Sequence, residues 1–135
     1  MAGAPQERIL VIEDDATMAR MLRALLEQAR YAVRVERSGL TGLSGAALDS
    51  PNLVILDVGL PDMNGYEVCR KLRQQGNPWS MPILIFTGLD KPVDQLRGFA
   101  FGADAYLTKP CDPDEILRTV ALLLGHQEAE FSEIS

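Results

Sequence analysis

Histidine and thiol side chains are nearly absent: the 135 residues hold one histidine, His126, and two cysteines, Cys69 and Cys111. The two cysteines lie in separate segments, matching neither a zinc-ligand spacing nor a disulfide framework, so both are expected to be reduced. Basic charge is also short. Thirteen Lys and Arg against nineteen Asp and Glu leave a net charge of -6. With no basic stripe, a nucleic-acid groove or an anionic membrane surface is a poor partner for this segment. No apolar run approaches the roughly 18 residues of a membrane span, and residues 1–7 lack a basic region followed by an apolar core. These absences predict a cytoplasmic protein. With 47% hydrophobic residues, the chain can bury one sizeable core and is too short for two ordinary domains.

What is present is an alternation. Five short apolar or β-branched runs, residues 9–12, 32–35, 53–56, 83–86 and 103–107, read as strands. Between and after them apolar residues recur at steps of three and four: Met18, Met21, Leu22, Leu25 and Leu26; then Gly65, Val68, Cys69 and Leu72. Val93, Leu96 and Ala100 repeat the spacing, as do Leu117, Val120, Ala121 and Leu124, while residues 38–48 are glycine-rich and carry a weaker signal. Asp15, Asn64 and Asp112 are expected helix caps, Pro113 a first helical residue, and Gly125 a helix stop. Glu67 and Glu115 stand three residues after their caps, and Gly76, Asn77 and Pro78 read as the end of the third helix. Strands alternating with helices imply an α/β fold, a doubly wound parallel sheet covered on both faces, because a parallel connection needs a crossover. Residues 8–125 form the expected domain, with 1–7 an extension and 126–135 a polar acidic tail or the start of a linker.

The polar residues that follow these runs carry the chemistry. Glu13 and Asp14 follow the first run, Asp57 the third, Thr87 the fourth and Lys109 the fifth. In doubly wound sheets ligands bind beyond the carboxyl ends of the strands, so these groups are expected to converge. Several carboxylates in one cleft need a cation or a proton. Oxygen donors without histidine or thiolate favour Mg²⁺ or Mn²⁺, with the Gly59 carbonyl a further candidate ligand. A carboxylate nucleophile, a metal, an ammonium and a hydroxyl are together what phosphoryl transfer to an aspartate requires.

Four stretches, ILVIEDD (9–15), VILDVGLPDMNG (54–65), IFTG (85–88) and GADAYLTKP (102–110), resemble the receiver domain of two-component response regulators, the CheY-like family. The likeness covers essentially residues 8–125. It implies a flavodoxin-like (βα)5 domain whose five strands run in the order 2-1-3-4-5. It further implies Asp57 as phosphoacceptor, Asp14 as direct metal ligand, Glu13 as ligand directly or through water, Lys109 as phosphate partner, Thr87 with Tyr106 as switch, and a cis Lys109-Pro110 bond. Expected partners are a sensor histidine kinase or phosphotransfer protein upstream and a protein target or fused effector domain downstream. A phosphorylation-dependent homodimer through the fourth helix, fifth strand and fifth helix is a further expectation. Such a protein is no enzyme toward other substrates; it catalyses only its own phosphorylation and dephosphorylation. Cys111 stands where an aromatic is common after Lys-Pro, Gly88 where alanine is common, and Glu13 where aspartate is the alternative. Gly59 and Leu89, two residues after Asp57 and Thr87, resemble positions that tune dephosphorylation in the family, and neither side chain can orient water, so a long-lived phosphoryl group is expected.

Two other classes compete. A phosphatase with an aspartyl-phosphate intermediate would carry Asp-x-Asp after an early strand and a covering insertion, whereas here Asp57-Val58-Gly59 follows the third run. A flavodoxin-like cofactor carrier would need a glycine-rich phosphate loop after the first strand, which is missing. Taken singly, an acidic pair after a strand is more often a cap or solvated turn, and Tyr106 more often a half-buried strand aromatic. Trp79 and His126 carry no assignment from sequence.

Overall fold

Apolar runs and amphipathic segments fold in strict alternation in the computed structural model of the chain, which describes residues 6–75 and 81–126. The elements are β1 (Arg8–Ile12), α1 (Ala16–Gln28), β2 (Ala32–Glu36), α2 (Gly39–Asp49), β3 (Leu53–Leu56), α3 (Gly65–Gln74), β4 (Ile83–Thr87), α4 (Pro92–Ala100), β5 (Ala105–Thr108) and α5 (Pro113–Leu123). All pairings are parallel, in the order β2-β1-β3-β4-β5. The order in which strands are added therefore reverses between β1 and β3, and the carboxyl ends of the strands share one edge.

Side chains alternate across the sheet, and the core splits accordingly. Leu10, Ile12, Val54, Leu56, Ile83 and Ile85 pack with Leu43 of α2 and Tyr66, Val68, Cys69 and Leu72 of α3. On the other face Ile9, Val11, Leu53, Ile55, Leu84 and Phe86 pack with Leu22 and Leu26 of α1 and Ile116 and Val120 of α5. All four side chains of β3 are buried. Burial of each is worth about 1.5–3 kcal/mol, so the strand that leads into Asp57 is a firmly held mount.

The expected caps form. Asp15 accepts from the amides of Thr17 and Met18, Asn64 from Tyr66, and Asp112 from Asp114. Glu67 does not reach back to its cap; it pairs with Arg70 at 2.5 Å, one turn on. Gly125, at φ +86, ends α5 with its amide on the Leu122 carbonyl and the His126 amide on that of Ala121. The Lys109-Pro110 bond is cis.

One boundary moves. The expected strand at residues 103–107 begins instead at Ala105, because the end of α4 claims the residues before it. Gly102 takes φ +110 and donates to the Phe99 carbonyl, and the Ala103 amide donates to Gly98. That motif spends the Ala103 amide on the helix, so it is lost to the sheet. The expected helix end at Gly76, Asn77 and Pro78, the side chain of Trp79 and most of the acidic tail lie outside the described residues. Among the described residues no helix is long and apolar enough to cross a membrane.

Candidate functional site

Backbone hydrogen bonds carry the sheet one residue past its strands, at the positions that bear the polar groups. The Glu13 amide donates to the Glu36 carbonyl at 3.0 Å, that of Asp57 to Ile12 at 3.0 Å, and that of Lys109 to Thr87 at 2.8 Å. Each side chain therefore springs from backbone fixed by its neighbour strand, which preorganises the group. Gly59 lies in the turn after β3, bridged to Asn64, with its amide 3.4 Å from Asp57 Oδ1.

Lys109 is the hub. Its Nζ donates to Glu13 Oε1 at 2.7 Å and to Asp57 Oδ2 at 3.3 Å, and it lies 5.5 Å from the centre of the Phe86 ring. The Glu13 side chain is only 3% exposed, Asp57 13% and Lys109 19%. Burial pushes the Glu13 carboxyl above its usual range; the Lys109 hydrogen bond and the Asp15 amide oppose that shift, and the charge of Asp57 adds to it. For Lys109, burial works to lower the pKa, but the hydrogen bond to Glu13 and the charge of Asp57 outweigh it, and the net shift is upward. The carboxylates thus favour the charged ammonium, while burial of Glu13 works against its own charge, opposed by the Lys109 hydrogen bond.

The other residues occupy distinct places. Both Glu13 oxygens are engaged, Oε2 by the Asp15 amide at 3.1 Å. Asp14 is exposed, and its carbonyl is gripped by the Arg37 guanidinium, through Nε at 2.9 Å and through a terminal nitrogen. Thr87, the last residue of β4, is buried, and its hydroxyl has no hydrogen-bond partner among the described residues. Tyr106 stands one strand over, its hydroxyl donating to the Leu89 carbonyl at 2.9 Å. Among the described residues no three acidic, histidine or cysteine side chains converge closely enough to cage an ion. That is no misfit to Mg²⁺, which keeps several waters and takes one or two carboxylates. The donors at hand, the Asp14 and Asp57 carboxylates and the Gly59 carbonyl, are all oxygen and suit it.

The model of the response regulator receiver domain matches residues 9–121. The chain belongs to this receiver family. It is 39% identical over 132 residues to the DNA-binding dual master transcriptional regulator RpaA of Synechocystis, covering 94% of this chain and 55% of that one. Response regulator ArlR of Staphylococcus aureus is 40% identical over 120 residues, covering 89% of this chain and 53% of that protein. The chain spans about half the length of these two relatives. A CheY-like receiver domain protein from Methanospirillum hungatei superposes with a TM-score of 0.85 at 30% identity, over 93% of this chain and 99% of that one.

Within the receiver, two site residues escape a sequence reading. Arg37 resembles any solvated arginine after a strand until its contact with Asp14 is seen. Gly65 is the other: a Cβ there would lie 2.3 Å from the Asp57 carbonyl oxygen and 2.5 Å from Val58 Cα. Helix α3 thus begins in direct contact with the backbone of Asp57. Gly65→Ala is expected to lower stability by about 1–3 kcal/mol, the cost of forced overpacking, read as a fall in the urea midpoint at unchanged slope.

Proposed function

We propose that this receiver takes a phosphoryl group from a phosphohistidine on a partner kinase or phosphotransfer protein onto Asp57, and passes the signal on through Thr87 and Tyr106. The observation that carries the reading is the Lys109 ammonium shared between Glu13 and Asp57 at the carboxyl edge of the sheet. One Asp57 carboxylate oxygen attacks phosphorus; the P–O bond forms as the P–N bond breaks, and the imidazole nitrogen keeps the electron pair and takes a proton. Lys109 Nζ lies within reach of the growing charge on the phosphoryl oxygens. Mg²⁺, with Mn²⁺ as the alternative, would be held by Asp14, Asp57 and the Gly59 carbonyl, with Glu13 contributing through water, and would neutralise phosphoryl charge when bound.

The buried Thr87 hydroxyl, without a partner among the described residues, can donate to a phosphoryl oxygen, which would draw the loop after β4 and with it the Leu89 carbonyl that Tyr106 holds. The output surface fits the same region. Leu89 is exposed in the loop after β4, Val93, Leu96 and Phe99 along α4, and Leu122 on α5. A face of this kind suits a downstream protein target, a fused effector domain or a second copy in a phosphorylation-dependent dimer.

Intact-mass measurement with and without a phosphodonor and Mg²⁺, run beside size-exclusion chromatography, tests uptake and assembly together. One added phosphoryl mass that requires the divalent ion supports the reading; its absence with a competent donor overturns it. The adduct is expected to persist for minutes or longer, since neither Gly59 nor Leu89 offers a group to orient water. Complete loss within seconds after donor removal would sink that expectation.

A further inference from the structure

A second tyrosine stands against Tyr106. Tyr66, the second residue of α3, is 3% exposed, stacks on Phe101 with ring centres 6.0 Å apart, and carries the Arg97 guanidinium 5.7 Å over its ring. Its hydroxyl donates to the Asp94 carbonyl at 3.1 Å, while the Tyr106 hydroxyl donates to Leu89 at 2.9 Å, and the two phenol oxygens lie 3.4 Å apart. Two phenol protons serve three possible contacts. With both spent on carbonyls, the oxygens merely abut; if either carbonyl moves away, its proton can turn to the neighbouring oxygen instead. The pair therefore has alternative hydrogen-bonded arrangements.

We infer that Tyr66 is a positioning residue that ties the first turn of α4 to the segment following Asp57, so that residues 89–98 are held from β5 by Tyr106 and from α3 by Tyr66. The tie is stiff at its far end. Gly65 abuts the Asp57 carbonyl with no room for a Cβ, so a shift of the Asp57 backbone carries the start of α3, and Tyr66 with it. At the near end Tyr106 is seated against Gly98, where a Cβ would come within 2.9 Å of its ring. The Tyr106 phenol is raised above its ordinary pKa, by burial first and then by the Tyr66 hydroxyl, as expected for enclosed neighbours. Charge placed on Asp57 would thus reach the exposed Val93, Leu96 and Phe99 by a second route, independent of Thr87. This consequence rests on the phosphoacceptor reading; the tie itself does not.

Tyr66→Phe keeps the ring on Phe101 and removes only the hydroxyl. In the full chain without a phosphodonor, amide hydrogen exchange over residues 91–98 is expected to rise about fivefold, the effect of one hydrogen bond. Nitration of Tyr106 by tetranitromethane, with Tyr31 as internal reference, should rise by a similar factor. Exchange and nitration both unchanged would overturn the inference. On saturating phosphorylation, the exchange change over the same residues is expected to be smaller in Tyr66→Phe than in the parent at equal phosphoryl mass; an equal change would remove the second route. If the parent takes up no phosphoryl group, the phosphoacceptor reading fails, and the donor-free measurements still decide the tie. Should Tyr66→Phe fail to fold, Tyr106→Phe provides the reciprocal variant: faster nitration of Tyr66 supports the contact, and an unchanged rate overturns it.

Discussion

Asp57→Asn is expected to abolish phosphoryl uptake, with no phosphoryl mass gained at any concentration of phosphodonor and Mg²⁺. The substitution is nearly isosteric, and the backbone that holds residue 57 is untouched, its amide still bonded to the Ile12 carbonyl at 3.0 Å. What is lost is the nucleophile, since a neutral amide oxygen does not attack phosphorus and leave a stable acyl phosphate. The expected loss is at least about 10³-fold in rate. Stability should move the other way. The charge of Asp57 helps push the Glu13 carboxyl upward, so its removal relieves repulsion, while the 2.7 Å Glu13–Lys109 pair remains. The melting temperature is therefore expected to hold or rise, which separates loss of chemistry from loss of fold. Residual uptake at the parental rate would place the phosphoryl group on another residue, which peptide mapping would identify.

The legible parts of the chain were those where one physical rule acts alone. Strands β1, β3 and β4 are continuous apolar runs because both faces are covered, and they lie within a residue of their expected ends. The candidate site is legible for a related reason: a polar group at or just past the carboxyl end of a strand must lie at the sheet edge, so Glu13, Asp14, Asp57, Thr87 and Lys109 group together from sequence alone. Where two elements compete for one amide, local pattern misplaces the boundary, as at Ala103, whose N–H goes to Gly98 in α4. The faint signal over α2 has a packing cause. Gly42 sits where a Cβ would fall 2.6 Å from Ile12, so closeness of approach replaced the apolar side chains that periodicity counts. Polar contacts between segments far apart in the chain leave no sequence signal. Asp62 accepts from the Gly39 and Leu40 amides at 2.8 and 2.9 Å, Arg37 grips the Asp14 carbonyl, and Tyr66 meets Tyr106 across 40 residues of chain. Each of these residue types is equally at home in solvent.

Lys109→Met is expected to slow phosphoryl transfer by about 10²–10³, the loss seen when one fixed donor to developing charge is removed. Methionine keeps much of the packing volume against Phe86, so the change isolates the ammonium from the stem. Its second effect is on pH dependence. Without Lys109, the buried Glu13 carboxylate keeps only the Asp15 amide and faces Asp57, so a carboxyl already raised by burial rises further. A carboxyl whose folded pKa exceeds its unfolded value binds more protons in the native state, and stability then falls as pH rises from the unfolded value toward the folded one. The variant should therefore match the parent most nearly at acid pH, where Glu13 is protonated and neutral. It should fall behind toward neutrality by up to about 3 kcal/mol, the lower end of the cost of breaking a buried pair. Urea titrations of both proteins between pH 4.5 and 8 measure the difference directly. A constant gap across that range would mean that Lys109 does not hold Glu13 charged. A double variant with Glu13→Gln supplies the cross-check, since removing both charges should abolish the pH-dependent part of the loss.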